Sequence, residues 1–531
     1  MTHWQDHLII GPIVLPMVIA AAMLMFDERR RLLKGGLSLF AMAAILIMAL
    51  ALLHESATGA VGGGDTARVY RLGDWPAPFG IVLVADRLST LMVALTSVLG
   101  ACSLIFALAR WDRAGPRFHA LFLLLVMGVN GAFLTGDLFN LFVFFEIMLA
   151  ASYGLALHGS GEARIRAGLA YIAVNLTASM LFLIGVSLIY GVTGTLNMAD
   201  LAMRIPGIAP EDRGLFHVAA AVLGVAFLTK CAMWPLGFWL TTTYTAASAP
   251  AAAVFAILSK VGAYVVIRLS LLLFGAGADG SAGFGEVWLL VGGLATIGFG
   301  VAGLIAARDL ACAAAYAVMV SSGTVLAVVG TGNLDALGGA VFYLVGSTLA
   351  CGALFMLGEV LHRGQDPGAR SGRAVFEDEF SDPFDDEERN EPGLVIPAAV
   401  AALGGLFLIC TLMLTGLPPL SAFIGKLAMI EALARTGGVA AILVIVALSL
   451  ATLGALIGLT RLGMAALWSR DEAEAPVVIG ATEMIAITGL LGACVLLAVF
   501  GEAAYAYAAH TADWLGRPDA YVRAVLGGGA A

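Results

Sequence analysis

Runs of about twenty apolar residues recur down this chain, and no other feature constrains the fold so tightly. A helix rises about 1.5 Å per residue, so about 20 apolar residues cross a hydrocarbon layer about 30 Å thick. The runs fall at 8–26, 34–53, 81–108, 118–135, 138–157, 168–192, 215–245, 250–274, 287–306, 311–330, 338–361, 394–434, 439–466 and 477–500. In lipid, backbone amides find no water, so each run must satisfy its own hydrogen bonds as a helix. The expected fold class is an all-α polytopic membrane protein of about 14 transmembrane helices. Composition agrees: the 531 residues are 60% hydrophobic and 12% charged, whereas soluble chains hold about 25% charged residues. The first run lacks a basic flank and a small-residue cleavage site, so it reads as a retained span.

Several function classes are excluded at this stage. No basic patch with interleaved aromatics occurs, so nucleic acid is not an expected partner. The six cysteines (102, 231, 312, 351, 410 and 494) form no CxxC pair and read as small buried hydrophobes. No GxxxxGK[ST], no GxGxxG opening a βαβ unit and no His/Cys set at metal spacing is found, so neither cofactor nor metal is expected. Energy must then come from an ion gradient or a partner.

Orientation follows from the basic residues in the connections. Those after odd-numbered spans carry "DERRRLLK", "RWDRAGPRFH", "GEARIR", Arg308, "HRGQDPGARSGR" with Arg389, and Arg461 with Arg470. Those after even spans carry few. The bias puts both termini outside the cell and the acidic 362–393 loop in the cytoplasm. That loop, with "FEDEFSDPFDDEERNE" at 376–391, holds much of the acidity behind the net charge of −9 and reads as a solvated linker.

A charged side chain at the centre of a bilayer costs several kcal/mol by most estimates, roughly 2.5 or more. Glu146 sits in "LFNLFVFFEIML", near the middle of the fifth run. Lys230 lies in "VAFLTKCAMWPLGFWL", five residues before Pro235, where the helix should break near 231–237. Lys426 repeats the pattern in "LTGLPPLSAFIGKLAMIEAL", after Gly416 and Pro418–Pro419. Paired interrupted spans point to inverted repeats with ion sites at the midplane. Lys260 lies mid-span in "AVFAILSKVGAYVVI" with no proline nearby. Glu146 needs an opposite charge or a proton, and Lys230 is the natural partner if the fifth and seventh spans pack together. Such a set suits a proton relay. Thr229, Ser259, Tyr264, Ser321 and Ser322 are candidates for holding water, although such residues more often back-bond within their own helix. His217, opening the seventh span, is a weaker relay candidate. Asp86, Asp137, Arg87 and Arg268 lie near span ends, where snorkelling or capping suffices.

"DLFNLFVFFEIMLAASYGL", "FLTKCAMWPLGFWLTTTYTAASAPAAAVFAILSKVGAY" and "GLPPLSAFIGKLAMI" closely resemble the D-type subunits of the multisubunit Mrp-type (Mnh/Pha) cation/proton antiporters, and more loosely the antiporter-like subunits of respiratory complex I. The resemblance implies a fourteen-helix fold with two inverted five-helix repeats and discontinuous seventh and twelfth helices. The implied division is 1–117 for helices 1–3, 118–274 for the first repeat, 287–466 for the second with the 362–393 loop, and 477–531 for helix 14 and the tail. It implies that Glu146 and Lys230 are the family's fifth- and seventh-helix pair, with Lys260 and Lys426 the lysines of helices 8 and 12. It also implies other Mrp subunits as partners in a bacterial inner membrane, exchanging cytoplasmic Na⁺ or K⁺ for external H⁺, with no enzymatic activity of its own. Many relatives carry a histidine and a lysine on the eleventh helix. "AVFYLVGSTLACGALFML" (340–357) has neither, which leaves Ser347, Thr348 and water to join Lys260 to Lys426. The alternative is an antiporter-like proton pump in a redox-driven complex, of NADH dehydrogenase or membrane hydrogenase type. A scaffold whose charges merely lock helices together is the reading of a different class.

Overall fold

The computed structural model describes residues 7–58, 67–365, 397–468 and 479–527. The helices are α1 (Gly11–Met23), α2 (Arg31–Thr58), α3 (Arg87–Ala107), α4 (Phe118–Leu134), α5 (Leu138–Ala156), α6 (Glu162–Thr193), α7 (Met198–Arg204), α8 (Pro210–Lys230), α9 (Phe238–Ala246), α10 (Ala249–Leu273), α11 (Glu286–Ala306), α12 (Leu310–Val329), α13 (Leu334–Gln365), α14 (Pro397–Thr415), α15 (Ser421–Thr436), α16 (Gly438–Trp468), α17 (Ala481–Val499), α18 (Gly501–Leu515) and α19 (Pro518–Leu526). Two strands, β1 (Arg68–Arg71) and β2 (Val82–Ala85), pair antiparallel, Arg68 opposite Ala85. Among the described residues, eleven long apolar helices and three shorter ones (Gly11–Met23, Phe118–Leu134 and Ala401–Thr415) account for fourteen spans. The chain is a multi-pass membrane protein.

The third span begins later than its hydropathy suggested. Val82–Ala85 is extended rather than helical, because β-branched residues suit a ladder. The helix starts after Asp86, whose carboxylate accepts from the Ser89 amide in a capping box. Asp137 and Asp309 cap α5 and α12 with the carboxylate alone, accepting from the Asn140 and Cys312 amides. Helices α7, α18 and α19 lie outside the expected spans. The 362–393 loop falls, from residue 366 onward, outside the described residues.

Burial sorts the helices. The apolar stretch of α10 is wholly enclosed by the rest of the chain, and that of α13 almost so. They pack against each other and form the central seam. Around α10 lie α3, α8 and α12; around α13 lie α12, α14, α15, α17 and α18. Helices α2, α6, α11, α16 and α17 keep most of their apolar surface outward, as lipid-facing helices do.

The two interrupted spans break where the prolines foretell. Between α8 and α9 the chain leaves the helix at 231–237, around Pro235. Between α14 and α15 it leaves at 416–420, around Pro418 and Pro419. All three prolines are exposed on the surface of the chain. Broken backbone at membrane depth needs partners for its freed groups. At the first break the Trp234 amide donates to Thr296 Oγ1 of α11 at 2.8 Å, and Trp239 Nε1 donates to the Thr229 carbonyl at 3.1 Å. At the second, the Thr415 carbonyl accepts from Lys426 Nζ at 2.7 Å. Gly416 there has φ +71°, and a Cβ on it would stand 2.6 Å from Lys426 Cδ. Only glycine satisfies both the left-handed backbone and the lysine beside it.

Candidate functional site

Of four buried lysines, Lys34 at the start of α2 pairs with Glu28 at 2.8 Å, and the other three mark the interior. Lys230 ends α8 and is 5% exposed. Its Nζ donates to Asn175 Oδ1 of α6 at 2.7 Å, and Asn175 Nδ2 donates back to the Tyr171 carbonyl at 2.8 Å. Lys260 is completely enclosed on α10. Its Nζ donates to Ser322 Oγ of α12 at 3.0 Å and more distantly to the Val318 carbonyl at 3.4 Å. Lys426, on α15, is 5% exposed and donates to the Thr415 carbonyl and to Thr452 Oγ1 of α16 at 2.9 Å. All three ammonium groups are therefore held by neutral oxygens. Among the described residues no carboxylate lies within ion-pair distance of any of them.

Glu146 is half-buried on α5. Its Oε1 is shielded from solvent yet has no hydrogen-bond partner among the described residues. It lies within electrostatic range of Lys230 without touching it. The expected direct pair is therefore not closed. The reason is packing: α6 lies against both α5 and α8. Phe182 of α6 meets Phe145 of α5 at 5.7 Å and Phe227 of α8 at 5.0 Å between ring centres, and Asn175 of the same helix takes the ammonium.

The other candidates separate. Ser347 Oγ lies 2.7 Å from Ser321 Oγ, so it joins α13 to α12 beside the Lys260 site. The Thr348 hydroxyl donates to the Leu344 carbonyl of its own helix at 2.6 Å. His217 stands apart. It precedes Lys230 by 13 residues, about 20 Å along α8 at 1.5 Å per residue. Its Nε2 meets Ser281 Oγ at 3.0 Å and its ring stacks on Phe284 at 4.4 Å. Arg268 does not snorkel. It is 5% exposed and pairs with Asp86, itself fully buried, at 2.5 Å. Tyr264 and Tyr521 flank its guanidinium. Among the described residues no cluster of His, Cys, Asp and Glu is placed to hold a metal.

Three polar residues were missed from sequence: Asn175, Thr452 and Tyr343, whose ring centre lies 5.9 Å from Lys426 Nζ. A lone asparagine in "YIAVNLTASMLFLIGV" is as costly to bury as any unpartnered amide and could have been singled out. Nothing in the sequence distinguishes Tyr343 or Thr452 from ordinary helix residues.

A family model described as "NADH:quinone oxidoreductase/Mrp antiporter, TM" matches residues 135–452, which include both breaks, all three lysines and Glu146. The chain belongs to that family. Its similarity to the D-type antiporter subunits runs end to end. It is 50% identical to the D-type subunit of a probable K⁺/H⁺ antiporter from Rhizobium meliloti, over 99% of this chain and 98% of that one. It is 32% identical to the D-type subunit of a Na⁺/H⁺ antiporter from Bacillus subtilis, over 98% of this chain and all of the other. A chain of the Mrp complex from Dietzia superposes with a TM-score of 0.81 at 25% identity, covering 99% of this chain and 100% of that one. A chain of the archaeal membrane-bound sulfane sulfur reductase superposes at 0.80 with 22% identity, over 98% and 99% of the two chains, which shows a shared fold. This family membership fits a transporter component rather than an enzyme.

Proposed function

We propose that this chain is the proton-translocating subunit of a multisubunit monovalent cation/proton antiporter, exchanging cytoplasmic Na⁺ or K⁺ for external H⁺ through Glu146, Lys230, Lys260 and Lys426. One observation carries the reading. Three lysines sit deep in the membrane region, each bonded only to neutral oxygens, and two adjoin helix breaks. A structural lysine is normally locked by a carboxylate, and removing one member of such a pair costs about 3–5 kcal/mol. A lysine held by an amide or hydroxyl can give up its proton without breaking an ion pair. Glu146, with a free oxygen and within range of Lys230, modulates the first of them.

The family resemblance supports two repeats, helices 4–8 (118–274) and 9–13 (287–466), flanked by 1–117 and 477–531. It also supports a place in the bacterial inner membrane with both termini outside, and assembly with other antiporter subunits. Glu146, half-exposed at membrane depth, fits a surface covered by such a partner. The relatives' names divide between K⁺ and Na⁺, so the cation is a matter for measurement.

The test is ΔpH-dependent exchange in vesicles bearing the whole complex, run with K⁺ and Na⁺ in turn. Exchange with at least one cation, lost in assembled Glu146→Ala complexes, is the expected result. Undiminished exchange in that variant refutes the assignment.

A further inference from the structure

Two connections meet at one end of the bundle, residues 24–30 between α1 and α2 and residues 108–117 between α3 and α4. The Arg117 amide donates to Glu28 Oε2 at 3.4 Å, and Ser38 Oγ of α2 lies 3.1 Å from His119 Nδ1 of α4. Over 27–34 and 112–117 the two segments hold six basic side chains against three acidic ones, on a chain whose net charge is −9. The acidic groups are already engaged. Glu28 takes the Lys34 ammonium at 2.8 Å, Asp27 accepts from the Arg29 amide at 3.3 Å, and Asp112 lies 4.0 Å from the Arg113 guanidinium. Arg31 meets Asp112 only at longer range. Among the described residues no ion pair or hydrogen bond engages the guanidinium of Arg29, Arg30, Arg31 or Arg117, and all four residues are exposed. Apolar surface begins directly below them. Leu32, next to Arg31, is 95% exposed, and Leu33, Phe40 and Ile47 follow at intervals of seven, an exposed stripe down one face of α2.

We propose that this corner binds an anionic phospholipid, its phosphodiester on Arg29, Arg30, Arg31 and Arg117 and an acyl chain along Leu33, Phe40 and Ile47. Positive charge alone would be served by lysine. A guanidinium presents a planar fork that bonds two phosphate oxygens at once, and four of them stand here without a carboxylate. A soluble anion would use the arginines and leave the stripe bare, as would an acidic segment of a partner subunit. The lipid is the occupant that matches both halves of the surface. This surface is independent of the proton relay.

The test counts lipid retained by the assembled complex, by native mass spectrometry, after exposure to phosphatidylglycerol or phosphatidylcholine of one chain length. Wild type is expected to retain phosphatidylglycerol in preference. Arg29→Gln/Arg30→Gln/Arg31→Gln is expected to lower that retention about tenfold or more, since each basic group beside an anionic headgroup contributes on the order of fivefold. The corresponding triple lysine variant keeps the charge and is expected to retain more than the glutamine variant. Phe40→Ala/Ile47→Ala leaves the arginines intact and is expected to weaken retention as well, which separates a lipid from a free anion. Equal retention of the two lipids by wild type overturns the proposal. So does undiminished phosphatidylglycerol retention in the glutamine variant, displacement of the lipid by an equal concentration of inorganic phosphate, or a cross-link from position 30 to another subunit. Should the glutamine variant fail to assemble, Arg117→Gln and Phe40→Ala/Ile47→Ala decide: wild-type retention in both overturns the proposal.

Discussion

Asn175 shows what the geometry adds to a residue-by-residue reading. The cost of burying charge made Glu146 and the three lysines legible, because an ionisable group at membrane depth needs a reason. Their partners were not legible. Glu146 and Lys230 were matched by sign, yet the ammonium chose an amide on α6, since helix packing decides which side chains meet. Asn175→Ala should leave Lys230 without that acceptor and slow exchange by about tenfold, on the scale of positioned proton-transfer groups. Exchange rates on complexes matched for subunit content check this. An unchanged rate would reduce Asn175 to a packing residue.

At the scale of elements, proline and glycine carried most of the information. Both breaks appeared where Pro235 and Pro418–Pro419 put them, because proline lacks the amide a continuous helix needs. The strand at Val82–Ala85 escaped notice, since a short apolar run reads alike as helix or strand. What closes the first break could not be read either: Thr296, more than 60 residues downstream, accepts the Trp234 amide. Thr296→Val keeps the volume and leaves that N–H unpaired. The variant should lose about 1–3 kcal/mol of stability, seen as a lowered thermal midpoint in detergent. Gly416→Ala should impair the second break more, because a methyl group at φ +71° also meets the Lys426 side chain.

Across the whole molecule, the fourteen spans were legible because lipid imposes one period and one length on every helix. The arrangement of helices was not, since an apolar residue reads the same whether it faces lipid or a neighbouring helix. Arg268 is the instructive case. Near a helix end it could have reached the headgroups, but α3 lies against α10 and brings Asp86 to it. The C-terminal helices close over this pair, with Trp514 Nε1 donating to Asp86 at 3.3 Å and Tyr521 against the guanidinium. Asp86→Ala, stranding a buried arginine, should cost about 3–5 kcal/mol, measured as loss of folded protein on heating. Stability equal to wild type would mean that water reaches Arg268. On the proposed reading, exchange through the whole molecule depends on the deep lysines giving up and regaining protons. Cation-driven proton movement by reconstituted complexes carrying Lys230→Ala, Lys260→Ala or Lys426→Ala measures that directly. The account predicts assembled complexes with exchange abolished in each; a complex that exchanges at the wild-type rate without one of these lysines would contradict it.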